Sequence, residues 1–151
     1  MIVINVDDVS VTTVLDKLLE HMSDLSPVMQ VIAGYMHDST EQAFADQRDP
    51  VTGEPWAALS EATLHMRPDR AGGQLLQDSA QLVNSLQSDF DGMAAYYGTN
   101  KPYAAMHQFG GTTASNSMIP NHEIPARPYL GLDEVGKENV LDLISGYLMD
   151  L

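Results

Sequence analysis

The stretch Tyr103-Ala104-Ala105-Met106-His107-Gln108-Phe109-Gly110-Gly111, and its re-entry after a polar run at Ile124-Pro125-Ala126-Arg127-Pro128-Tyr129-Leu130-Gly131, decides how this chain folds. The first part predicts a short helix over residues 103–109. The glycine pair ends it, because glycine takes up the left-handed backbone that closes a helix without a Cβ penalty. Residues 112–122 are small and polar, too poor in apolar groups to hold themselves in place. They predict a long loop ordered by a neighbour, an interface arm, with Pro125 and Pro128 stiffening its return.

Working outward, Asp91-Gly92 is a hairpin signal between candidate strands at residues 85–90 and 93–98, so a small antiparallel sheet is expected. Towards the N-terminus, residues 2–6 alternate as a short strand would. Asp7, Asp8 and Ser10 then offer capping oxygens to a first amphipathic helix, striped by Val11, Val14, Leu15, Leu18, Leu19 and Met22. Ser26 caps and Pro27 opens a second, which carries Val28, Val31, Ile32, Tyr35 and Met36 and runs on to about Ala45. Residues 48–55 read as an ordered turn, residues 60–65 as a helical turn, and 66–73 as a break. Residues 75–86 suggest a helix or turn passing into extended chain. Val135, Val140, Leu143, Ile144, Tyr147 and Leu148 predict a closing helix, softly broken by Gly136. The fold class is α+β, with residues 1–151 as one domain.

Composition limits the function. Seven basic against 21 acidic residues give a net charge of −14, which disfavours an electrostatic grip on nucleic acid. No cysteine is present, so disulfides and thiolate metal sites are excluded, in keeping with folding in a cytoplasm. No apolar run approaches the ~20 residues of a membrane helix, and residues 1–6 lack the basic start of a signal peptide. Asp7, Asp8, Asp89, Asp91, Asp133 and Glu134 read as a solvated face, and the nine methionines as flexible core filling.

Chemistry-bearing motifs are thin. His107, His122, Glu123 and the pair His37-Asp38 have no His-x-x-x-His spacing to place two ligands on one helix face. Phosphate-binding glycine loops and a Gly-x-Ser-x-Gly elbow are absent. No catalytic residue, metal or cofactor is therefore assigned. The alternative in another class is a small metal-dependent cell-wall hydrolase, centred on His107, His122 and Glu123.

From about Phe44 to Leu132 the chain resembles the virion morphogenesis, or tail completion, proteins of Mu-like tailed bacteriophages. The resemblance runs through Asp49-Pro50-x-x-Gly53-x-x-Trp56, Leu76-x-x-Ser79, Leu82-x-x-Ser85-Leu86 and Gly98-Thr99-Asn100. It is strongest in Tyr103-Ala104-x-x-His107-Gln108-Phe109-Gly110-Gly111 and in residues 125–131. The family typically has glycine where this chain has Ala80, and the N-terminal helices match only in pattern. The resemblance implies a structural protein without catalysis that completes or terminates the tail, or forms part of the head-to-tail joint, as a ring-shaped homo-oligomer, commonly sixfold. It implies assembly in the host cytoplasm and residence in the virion, with neighbouring tail or connector proteins as partners. DNA would pass nearby without specific binding, and no membrane is involved. A tail-tube or capsid subunit differs from this in stoichiometry alone.

Trp56, Tyr103, His107, Gln108, Phe109, Gly110, Gly111, Arg127, Pro128 and Tyr129 are the candidate interface residues. Phe109 would be the arm's apolar root and Arg127 a bidentate donor to a carboxylate. Each has an internal alternative: Trp56 anchoring a loop to the core, Arg127 in a salt bridge at the loop base, His107 and Gln108 bonding within the loop.

Overall fold

The computed structural model describes residues 9–150. The strand expected at residues 2–6 and the capping carboxylates Asp7 and Asp8 lie outside them. Helices α1 (Val9–Ser23) and α2 (Ser26–Asp46) follow the apolar spacing. Ser26 is not the cap: it is already helical, and Leu25 occupies the N-cap position without a side-chain bond. Asp24 does the work instead, its Oδ1 accepting from the Ser26 amide at 2.9 Å. Pro27 sits in the first turn, where a missing N–H leaves no bond unmade.

Helix α2 is the axis of the structure because it is covered on two sides along its length. Its first half buries Val28, Met29 and Ile32 against Val140, Leu143 and Ile144 of the closing helix. Its second half brings Ala43 and Phe44 against Trp56, Leu82, Ala104 and Tyr129. The single stripe expected through Val31 is therefore not what forms. Val31 is 53% exposed, whereas Met29, Ala33 and Thr40 are buried.

Strands β1 (Gln87–Phe90) and β2 (Ala95–Gly98) pair antiparallel, Gln87 opposite Gly98 and Phe90 opposite Ala95, and pack on α2. They are shorter than expected, since residues 91–94 all belong to the turn. Asp91 Oδ1 accepts from the Met93 and Ala94 amides, both at 2.8 Å; the Met93 bond, with the Tyr96 hydroxyl on Oδ2, holds its carboxyl below the usual range. The Leu25 amide donates to Gly92 O at 3.0 Å, tying this hairpin to the corner between α1 and α2.

The turn at residues 48–55 is ordered as expected. Asp49 Oδ1 accepts from Val51 N at 2.7 Å, and Asp49 N donates to Glu54 O at 2.9 Å. Helix α3 (Glu61–Met66) is capped by Ser60, which accepts from Thr63 N. The run at residues 75–86 forms turns and a 3-10 segment at Val83–Ser85 rather than a helix. Within it Ala80 has φ 56. That left-handed backbone is what the glycine of the resembled family would adopt without strain.

Helix α4 (Ala104–Phe109) ends at Gly110, and β3 (Gly111–Thr112) pairs antiparallel with β4 (Glu123–Ile124). The segment expected to need a neighbour for its order is thus a hairpin closed by its own bonds. Thr113 N donates to His122 O at 2.9 Å, and His122 N to Thr113 Oγ1 at 2.8 Å. Thr113 Oγ1 also donates to Ile119 O. Polar bonds converging on one threonine replace the apolar contacts that the loop lacks.

Helix α5 (Glu134–Met149) closes the fold. Asp133 caps it, its Oδ1 accepting from Gly136 N at 2.7 Å. Gly136 is no break: it is buried in the first turn, and a Cβ there would meet Tyr35 Cε1 at 3.3 Å. Helix α1 rests on α5, with the His21 and Tyr147 rings stacked 5.0 Å apart. None of its residues is buried, however, and the expected core stripe lies open, Leu15 at 53% and Leu19 at 65% exposure.

Gly110 is the backbone position on which the hairpin's placement depends. Its φ is 69 and ψ −178, a combination that is essentially glycine's own. An added Cβ would stand 2.8 Å from Ala126 N and 2.9 Å from Ile124 O. Gly110→Ala is expected to destabilise the protein by roughly 2–4 kcal/mol, read by chemical denaturation. A loss below about 0.5 kcal/mol would show that the chain relaxes there freely.

Candidate functional site

Residues 126–131 return to the core outside any helix or strand, so their backbone groups must find other partners. Gln108, on the last turn of α4, supplies three of them. Its Oε1 accepts from both Tyr129 N and Leu130 N at 3.0 Å, and its Nε2 donates to Leu130 O at 3.0 Å. His107 O accepts from Arg127 N at 2.7 Å. A six-residue helix thereby holds an extended segment through a single amide side chain and one carbonyl.

Trp56 closes the same segment from the other side. Its Nε1 donates to Pro128 O at 2.6 Å, and its ring meets Phe44 edge-on at 5.4 Å. Tyr129 is 1% exposed and donates its hydroxyl to Ala104 O at 3.2 Å; burial pushes its phenol up. The internal anchoring considered for Trp56 is the arrangement present, and Gln108 likewise bonds within the loop base.

Within its own chain Arg127 forms no salt bridge at the loop base. Its Nε donates to Ala57 O at 2.7 Å and its Nη2 to Ala58 O at 2.9 Å, and no carboxylate lies within 4.0 Å of it among the described residues. The guanidinium fork binds two consecutive carbonyls of the chain following Trp56, and so pins that chain to the base. It is 7% exposed, and burial lowers its pKa. His107 is half-buried beside it, with its ring 5.9 Å from that of Tyr103. Its Nδ1 is buried without a hydrogen-bond partner, the one such side-chain atom among the described residues.

The exposed members of the candidate set lie beyond this base. Phe109 is 78% exposed and Tyr103 38%. At the hairpin's far end Met118 is fully exposed and Ile119 53% exposed. These two were missed from sequence, where they sit as isolated apolar residues in a polar run. Their setting on a hairpin tip gives them meaning.

The metal centre of the hydrolase alternative does not assemble. Among the described residues one His/Asp/Glu group converges, and it is His37, Asp38 and Glu41, not His107, His122 and Glu123. His37-x-x-x-Glu41 is a one-turn spacing that sequence inspection for paired histidines passes over. Both His37 nitrogens are engaged, Nδ1 with Tyr97 OH at 3.0 Å and Nε2 with Glu41 Oε1 at 3.2 Å.

Fold and site together define a small α+β protein whose distinctive feature is an apolar-tipped hairpin on an internally bonded base. The family model for the phage virion morphogenesis family matches residues 6–149, and the chain belongs to that family. It is 40% identical over 120 residues to protein G of Escherichia phage Mu, described as a candidate capsid assembly protein, covering 78% of this chain and 75% of that one. It is 33% identical over 138 residues to Mu-like prophage FluMu G protein 2 of Haemophilus influenzae, covering 91% and 88%. The FluMu G protein 1 of the same organism is 30% identical over 139 residues, covering 89% and 87%. No solved structure matches the chain. Its role is a structural one in phage virion assembly, and among the described residues no helix is long and apolar enough to cross a membrane.

Burial, and then the charge of Arg127, lower the His107 pKa from its ordinary value of about 6.5. The unfolded chain therefore takes up the proton first as pH falls. The contribution of His107 to stability is intact above about pH 6.5 and is lost progressively below it. Denaturation midpoints at pH 7.5 and 5.5 should show a larger drop for the wild type than for His107→Gln. Equal drops would remove His107 from the titration.

Proposed function

We propose that this protein completes or terminates the phage tail at the head-to-tail joint, as a ring of identical subunits in which the β3–β4 hairpin reaches from one copy to the next. The observation that carries the proposal is the hairpin itself. Met118 and Ile119 are open to solvent on it, Phe109 is open at the end of α4 beside its root, and its base is fixed by Gln108 and Trp56. Exposed apolar side chains on a pre-shaped arm favour association, because little ordering entropy remains to be lost on contact.

Heterologous contacts between unlike surfaces generate closed rings, and an arm is suited to making them. A ring of about six copies accords with a position around the axis of genome exit. The open apolar face of α1 supplies a second surface that an assembly can cover. The candidate interface set divides accordingly: Phe109, Tyr103 and Gly111 can face a neighbour, while Trp56, Gln108, Arg127, Pro128 and Tyr129 hold the arm's base, with His107 and Gly110 at the joint. With a net charge of −14, a ring of this chain would present phosphate with a repelling wall, so that DNA passes without adhering. Folding in the host cytoplasm and incorporation into the virion complete the proposal, with one domain carrying the whole function.

Deleting residues 112–121 should leave a folded protein whose circular dichroism matches the wild type apart from the lost hairpin. It should also fail to restore infectious particles to a phage lacking this gene. Normal particle yield from the deletion variant would contradict the proposal. Loss of folding would place the hairpin in the core instead.

A further inference from the structure

Three of the chain's seven basic residues, Arg67, Arg70 and Arg127, line one cavity of about 310 Å³ together with His107, Tyr103 and Asp78. In a molecule of net charge −14 this is a local concentration of positive charge, and its compensation is incomplete. Asp78 is shared, at 2.7 Å from Arg67 Nη1 and 3.3 Å from Arg70 Nη1, and Asp69 lies 3.5 Å from Arg67 Nη2. The third guanidinium, Arg127, is more than nine-tenths buried and bonds only neutral carbonyls through Nε and Nη2. Buried charges are ordinarily paired with an opposite charge. Beside it the Nδ1 of His107 lacks any partner. The cavity thus holds a buried cation with no acidic counter-group, next to a histidine with an unpaired ring nitrogen.

We infer that this cavity receives a carboxylate side chain from α5 of a second copy of the chain. Glu134, Glu138 and Asp142 are exposed and recur at one-turn spacing, so they form an acidic line along α5. Glu134 is paired with Lys137 at 2.7 Å, which leaves Glu138 and Asp142 as the carboxylates that would accept from the cavity's arginines. Positive cavity and negative line lie on different parts of the subunit, which gives the contact the head-to-tail character a closed ring requires. The inference rests on the assembly reading and adds to it: the hairpin supplies apolar contact, the cavity supplies orientation.

The test is self-association by sedimentation equilibrium on the full chain, for wild type, Arg67→Gln/Arg70→Gln, Glu138→Gln/Asp142→Gln and the combination of all four. The α5 pair is exposed and leaves the cavity's own packing untouched, so at least one arm keeps its fold. Circular dichroism checks both. Each pair should weaken association about tenfold, and the four together should weaken it no further than the worse pair, because both arms remove the same contact. Higher salt should weaken the wild type and have less effect on the variants. Full additivity, or wild-type association in the α5 variant, would overturn the inference. So would a wild type that stays monomeric at every concentration while still restoring infectious particles, a result that would leave the assembly role standing.

Discussion

The structure depends on one unglamorous requirement: residues 126–131 pass along the core without a ladder, and every buried backbone group there needs a partner. An unmade hydrogen bond in such a place costs about 1–3 kcal/mol. One glutamine satisfies three of these groups, a tryptophan nitrogen a fourth, and a helix-end carbonyl a fifth. The order of the hairpin follows from this. Its two strands leave the base where Gly110 and Ala126 approach too closely for any Cβ. The direction in which Met118 and Ile119 project is therefore set by residues near the centre of the molecule.

This arrangement explains why so many motif residues are not at the surface. Trp56, Arg127 and Tyr129 lie within the base, at 6%, 7% and 1% exposure. Arg127 illustrates the principle. Two consecutive carbonyls at Ala57 and Ala58 match the Nε and Nη2 positions of its guanidinium and bring the chain after Trp56 onto the base. Polar side chains in this protein act largely as substitutes for secondary structure.

Much of this was legible in the sequence where local rules decide. Gly110-Gly111 ended a helix, Asp91-Gly92 turned a hairpin, and residues 48–55 formed a turn because Asp49 bonds its own backbone. Errors arose where tertiary contact overrides period. Helix α2 is covered on two sides, so Val31 is exposed although it fits the stripe, and α1 keeps its stripe open because, among the described residues, α5 is its main support. The hairpin at residues 111–124 was hidden because its order comes from Thr113 rather than from apolar content. The counter-ion deficit at Arg127 was not visible at all, since it depends on which residues the fold gathers from positions 67, 70 and 127.

Membership of the phage virion morphogenesis family fixes the setting as virion assembly, and the physical account assigns a rigid base and a contact-seeking tip to one short region. Hydrogen exchange measured residue by residue, on the free protein and on assembled particles, tests that division most directly. The amides of Arg127, Tyr129 and Leu130 should exchange slowly in both states. Those of Met118 and Ile119, at the exposed tip, should exchange quickly in the free protein and slowly in the particle. Tip amides whose rates are unchanged by assembly, or base amides that exchange as fast as the tip, would contradict the account.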